Sequence, residues 1–106
     1  TLGKLPAGVL ASHAAAVLAK LEDSVWNVRQ AAVQTLGKLP AGVLASHAAA
    51  VVAKLEDTNQ NVRQAAVETL GKLAADVLAS HAAAVVAKLE DADWRVRQAA
   101  VETLGK

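Results

Sequence analysis

Thr1, Thr35, Thr69 and Thr103 each open the same word, Thr-Leu-Gly-Lys, and they stand 34 residues apart. A 106-residue chain that repeats at that period is a stack of like units before it is anything else. Residues 1–34 and 35–68 differ only at 18/52, 24/58, 25/59, 26/60 and 34/68. Residues 35–68 and 69–102 differ only at 40/74, 42/76, 58/92, 59/93, 60/94 and 61/95. A unit this short cannot cover its own apolar surface, so each copy must be stabilised by the next.

Within the period, apolar residues follow helical spacing. Leu10, His13, Ala14, Val17, Leu18 and Leu21 share one helix face. A first helix, A, is expected over 11–22, with Ser12 as its N-cap. Asp23 and Ser24 are of the types that end one helix and start another. A second helix, B, is expected over 25–38, with Val28, Ala31, Ala32, Leu36 and Leu39 inside and Gln30, Gln34 and Lys38 in water. Gly37 loosens its last turn and Pro40 ends it. The second copy repeats this over 45–56 and 59–72. In the third, Ala74 and Asp76 replace proline and glycine, so helix A is expected from Ala75 to Glu90 and helix B over 93–105. The domain expectation is one repeat domain over 1–106: a helix tail and connector at 1–10, then repeats at 11–39, 40–73 and 74–106. Short connections make each helix pair antiparallel.

Composition narrows the chemistry. Hydrophobic residues make up 54% of the chain, but 26 of them are alanine, and Phe, Tyr, Met and Cys are absent. Such a core relies on close approach of helices and many small contacts. A net charge of +1 provides no field to steer nucleic acid or an anionic membrane. Without cysteine there is no disulfide or thiolate chemistry. No apolar run approaches the roughly 18 residues of a membrane span, and no signal-peptide pattern is present. A cytoplasmic location is expected, and the chain reads as part of a longer array or as an engineered repeat protein.

The words Leu55-Glu56-Asp57, Val62-Arg63, Ala65-Ala66 and Leu70-Gly71 resemble a HEAT repeat. The Asp-to-Arg spacing recurs as Asp23 with Arg29, Asp57 with Arg63 and Asp91 with Arg97. The period is short for that family and similar to that of its lyase-like relatives. Tetratricopeptide repeats would need Trp, Tyr and Phe at set helical positions, and ankyrin repeats a Thr-Pro-Leu-His word. The resemblance implies an all-α, right-handed superhelix of three helix pairs, with B helices on the concave side. It also implies scaffold or adaptor work.

Candidate functional residues come one per repeat. The Asp/Arg pairs suit a structural ladder, each Asp accepting N–H bonds at the start of helix B and each Arg bridging to an Asp of its own or the adjacent repeat. His13, His47 and His81 lie on neighbouring helices some 8–10 Å apart, too far to share an ion at ~2.1 Å, so no metal or other cofactor is expected. Lys20, Lys54 and Lys88, like Lys4, Lys38, Lys72 and Lys106, suit a solvated face better than a phosphate track.

Seven of the eleven differences fall in one four-residue window: Ser24-Val25-Trp26-Asn27, Thr58-Asn59-Gln60-Asn61 and Ala92-Asp93-Trp94-Arg95. A variable tip on a constant frame suits binding, and Trp and Arg anchor interfaces. The same pattern also suits a turn that is simply little constrained. The expected function is a non-enzymatic protein-interaction scaffold. It would bind through Trp26, Asn27, Gln60, Asn61, Trp94 and Arg95 at the turns, and through Gln30, Gln34, Gln64, Glu68, Gln98 and Glu102 on the B face. The alternative is a structural or designed module that self-associates end to end through apolar edges at 1–10, Val101 and Leu104. The partner is thus another protein or a second copy. No nucleic acid, membrane or small-molecule substrate is expected, and no residue suggests catalysis.

Overall fold

A computed structural model describes residues 7–39, 41–73 and 75–105, with side chains from residue 13 onward except those of 41, 75 and 76. The alanine-rich composition favours helix, and no strand occurs among the described residues. The elements are α1 (Ala7–Lys20), α2 (Trp26–Leu36), α3 (Ala41–Ser46), α4 (Ala48–Ala53), α5 (Gln60–Leu70), α6 (Ala75–Ser80), α7 (Ala82–Ala87) and α8 (Trp94–Leu104). Short 3₁₀ turns, Lys54–Glu56 and Lys88–Glu90, follow α4 and α7. Helices α2, α5 and α8 lie side by side, and α1, α4 and α7 each cover their own partner in that row. The chain is an all-α repeat solenoid of two helical layers.

Helix A departs from its expected form. It starts at Ala7, Ala41 and Ala75, so Ser12 lies inside α1 and is not its N-cap. Residues 1–6 of the expected tail and connector lie outside the described residues. In the second and third copies helix A breaks at His47 and His81, whose φ and ψ are −110° and 12° and −114° and 10°. Residues 7–17 and 41–51 are identical, yet the first stretch is one unbroken helix. Identical residues thus adopt two local forms, so the break is not dictated by residues 41–51 alone. Helix B also starts one residue later than expected in each copy and ends at 36, 70 and 104, before the glycine.

The core is built from the faces between repeats. Val33, Leu36, Val51, Leu55, Val62, Val67, Leu70, Val85 and Val96 are fully buried. Sequence spacing overlooked Val33 and placed Ala31 inside, whereas Ala31 is exposed and Val28 half-buried. Their counterparts Val62, Ala65, Val96 and Ala99 are buried. A central B helix touches its own A helix and a B helix on either side, so its apolar surface is wider than one stripe. Gly37 sits in ordinary helical conformation, φ −65°. Its missing side chain allows close approach, since a Cβ there would stand 3.3 Å from both Thr69 Oγ1 and Lys72 Nζ of the next repeat.

Because the core lies between repeats, position in the stack sets the worth of identical residues. Leu70→Ala should cost about 2–5 kcal/mol, whereas Leu104→Ala, at a side chain 39% exposed, should cost less than about 1 kcal/mol. Urea unfolding followed by circular dichroism measures both, and equal losses would contradict a core shared between repeats.

Candidate interaction surface

Asp23, Asp57 and Asp91 stand in the turn between the helices of each pair. Oδ1 of each accepts the backbone N–H two residues on, from Val25, Asn59 and Asp93, at 2.9 Å. Those three residues are the helix N-caps, and the Asn59 and Asp93 side chains accept the N–H of Asn61 and Arg95 in turn. Val25 has no oxygen to offer, and α2 starts without a side-chain cap.

The arginines reach across to the following repeat. Arg29 Nε and Nη2 donate to Asp57 Oδ2 and Oδ1 at 2.8 and 3.0 Å, and Arg63 binds Asp91 likewise at 2.9 and 3.0 Å. The third guanidinium nitrogen turns back to its own repeat, donating to the carbonyls of Asp23 and Asp57. A planar fork thus clamps two turns at once. Both receiving carboxylates are only 5% exposed. Burial pushes Asp57 and Asp91 up, but the arginine hydrogen bond, the backbone N–H and the nearby Arg and Lys charges outweigh it. Both therefore lie below the ordinary carboxylate value. Asp93 is likewise lowered, chiefly by its hydrogen bond with Arg95.

Lys54 and Lys88 are not on a solvated face. They bind Glu22 and Glu56 of the preceding repeat, and Lys88 also lies 3.7 Å from Asp91. The 3₁₀ turns that begin at these lysines cap α4 and α7 beside the previous repeat, which brings each amine to that glutamate. Thr69 and Thr103 are buried and donate to the carbonyls of Val33 and Val67, again one repeat back. Sequence reading missed both contacts. The available signal was that Glu22, Glu56 and Glu90 recur with the lysines, and Thr35, Thr69 and Thr103 recur in every copy.

A groove of about 520 Å³ crosses the row of B helices. Ala65, Thr69, Ala99 and Thr103 form its small-residue floor, and Gln34, Lys38, Glu68, Lys72 and Glu102 its charged and polar wall. Gln64 and Gln98 lie outside it and donate to Glu68 and Glu102. Gln30 is half-buried and is not a groove residue. Trp26 and Trp94 are the first residues of α2 and α8, 38% and 62% exposed, with half-buried Gln60 between them in the stack. Asn27 is exposed, Asn61 half-buried, and Arg95 folds onto Asp93. Helical rise puts Trp26 about 12 Å along α2 from Gln34. The expected contact residues therefore form two regions, turn tips at one end of the B helices and a groove toward the other. His13 is exposed, while His47 and His81 are half-buried at the helix breaks. Among the described residues no three His, Asp or Glu side chains converge, and no helix is long and apolar enough to cross a membrane.

Residues 48–106 match a family model described as HEAT repeats, and residues 15–39 match one described as HEAT repeat. No curated protein matches the chain.

Two measurements test the ladder. Arg63→Ala strands a buried carboxylate and should destabilise by roughly 3–5 kcal/mol. Arg97→Ala, which faces no carboxylate among the described residues, should cost less than about 1 kcal/mol. The lowered Asp57 and Asp91 hold fewer protons folded than unfolded at mildly acid pH. Their contribution is complete above the unfolded value near 4 and is lost as pH falls through the lower folded values. The urea midpoint should be level from about pH 7 to 5 and drop below about pH 4, with a shallower drop in Asp57→Asn.

Proposed function

Since the chain belongs to the HEAT-repeat family, whose members generally serve as protein-interaction scaffolds, we propose that it holds a protein partner in the B-helix groove. The family is typically non-enzymatic, and in this proposal the chain acts as a scaffold without catalysis. The observation that carries the proposal is the continuity of the groove over all three repeats, from Gln34 to Glu102. Its floor is made of alanine and threonine, which leaves room for backbone or small side chains. Its wall carries both signs of charge, Lys38 and Lys72 with Glu68 and Glu102, which suits an elongated peptide segment presenting both signs in return. The exposed Trp26 and Trp94 offer a second contact for a partner that extends to the turn tips.

A photo-crosslinking residue separates this face from the opposite one. Placed at Gln34 or Glu102 in the groove, it should capture a partner protein. Placed at Ala49 or Ala83, exposed on the A helices, it should not. Replacing Glu68 and Glu102 together by lysine should weaken capture by more than about tenfold with helicity intact. Equal capture from both faces, or a double charge reversal without effect, would refute the groove as the binding face.

A further inference from the structure

The groove on the B-helix row is not charged evenly from repeat to repeat. Its wall draws on two places in the unit, 34 with 38, 68 with 72 and 102 with 106. On a helix, side chains four residues apart stand beside each other. In the second and third copies the earlier one is an acid, Glu68 before Lys72 and Glu102 before Lys106. In the first it is Gln34 before Lys38, and no acid occurs anywhere in α2. The Gln34/Glu68 exchange is the one difference between the first two repeats that falls inside the groove.

The side chains also part by sign. Lys72 reaches back to the first repeat, since a Cβ at Gly37 would stand 3.3 Å from its Nζ. Gly37 closes α2, where the last carbonyls attract a cation. The Lys72 amine thus lies over the residue next to Lys38, and neither lysine bonds an acid among the described residues. Glu68 and Glu102 turn the other way, each accepting from the glutamine one turn earlier, Gln64 at 3.1 Å and Gln98 at 3.4 Å. Thr69, on the floor, gives its proton to the Val33 carbonyl. The donors left between the first two repeats are the two amines and the Gln34 amide, all on exposed side chains.

We propose that Lys38 and Lys72, with the Gln34 amide beside them, seat an acidic side chain of an extended peptide segment, and that Glu68 and Glu102 seat a basic one. This charge order rests on the reading of the groove as the binding face. Charge complementarity selects the occupant, because two unpaired amines meet at one seat and two carboxylates at the other. A glutamate at position 34 would make the wall the same at each junction, and a bound segment could slip by one repeat. Gln34 leaves one junction with an excess of positive charge and so fixes the register. Neighbouring B helices lie roughly 8–10 Å apart and the seats are offset by about one helical turn, so they stand about 11 Å from each other. An extended chain covers that span in about three or four residues.

A displayed library of random linear peptides, selected on the full chain, tests the proposal. Enriched peptides should carry an acidic and a basic residue about three or four positions apart. A photo-crosslinking residue next to the acid should label the chain around Lys38 and Lys72, as mapped by mass spectrometry. Gln34→Glu, which sets an acid beside Lys38, should weaken binding of those peptides about tenfold, and Lys38→Gln combined with Lys72→Gln at least as much. Lys20→Gln removes the same charge away from the groove and should leave binding unchanged. Circular dichroism should be the same for all these variants, whose replaced side chains are exposed. Peptides that bind but crosslink outside the groove would refute the binding face itself. Peptides that crosslink in the groove without the paired charges, or that are indifferent to Gln34→Glu, would overturn the charge order alone. A selection that enriches no peptide would overturn both.

Discussion

The two-toothed bond from Arg29 to Asp57, repeated from Arg63 to Asp91, is the interaction on which the structure depends. Each arginine holds the carbonyl of its own turn while its fork grips the carboxylate of the next. Each receiving aspartate also ties down the backbone two residues on, where helix B begins. One side chain therefore sets the spacing between repeats and the start of the following helix. A buried charge without its partner costs roughly 3–5 kcal/mol, as much as truncating a core leucine. Apolar faces built from Ala and Val could slide past one another with little loss, since many registers give similar contact. The charged fork accepts only one register.

The lysine, the threonine and Gly37 follow from that alignment. With register held, the amines of Lys54 and Lys88 reach the glutamates of the previous repeat. The B helices come close enough for Thr69 and Thr103 to bond a neighbouring backbone. The same proximity leaves little room for a side chain at Gly37. These positions are identical in all copies, while the turn residues 24–27 and their counterparts differ. Gln34, which becomes Glu68 and Glu102, is the differing position that lies in the groove. Eight of the eleven differences fall at the turn tips and the groove wall, while 18/52, Leu against Val, lies on helix A against the core.

Much of this was legible in the residues, and the failures share one cause. The 34-residue period and helical spacing identify the stack and its pairs of helices. The Asp-to-Arg interval marks the ladder residues, but spacing along the chain left open whether each Arg serves its own repeat or the next. Ala31 and Ala65 are the same residue in the same word, one exposed and one buried, because only the second has a described repeat before it. His13 and His47 also sit in identical words, one within an unbroken helix and the other at a break. Lys54 looked solvated because its partner Glu22 lies 32 residues back, outside any single helix. Local pattern describes one unit, whereas these features belong to the junction between two.

That distinction bears on where a partner can bind. Residues at a junction are committed to the neighbouring repeat, so changing them alters the stack before it alters recognition. The groove differs, because its floor uses Thr69 and Thr103, whose hydroxyls are already occupied by backbone, and its wall uses Lys38, Lys72, Glu68 and Glu102, which no cross-repeat bond among the described residues requires. Frame and display are thus carried by different atoms of the same helices. A wall charge can be exchanged while the junction beneath it stays intact, which is the physical condition for a scaffold whose specificity changes without its fold.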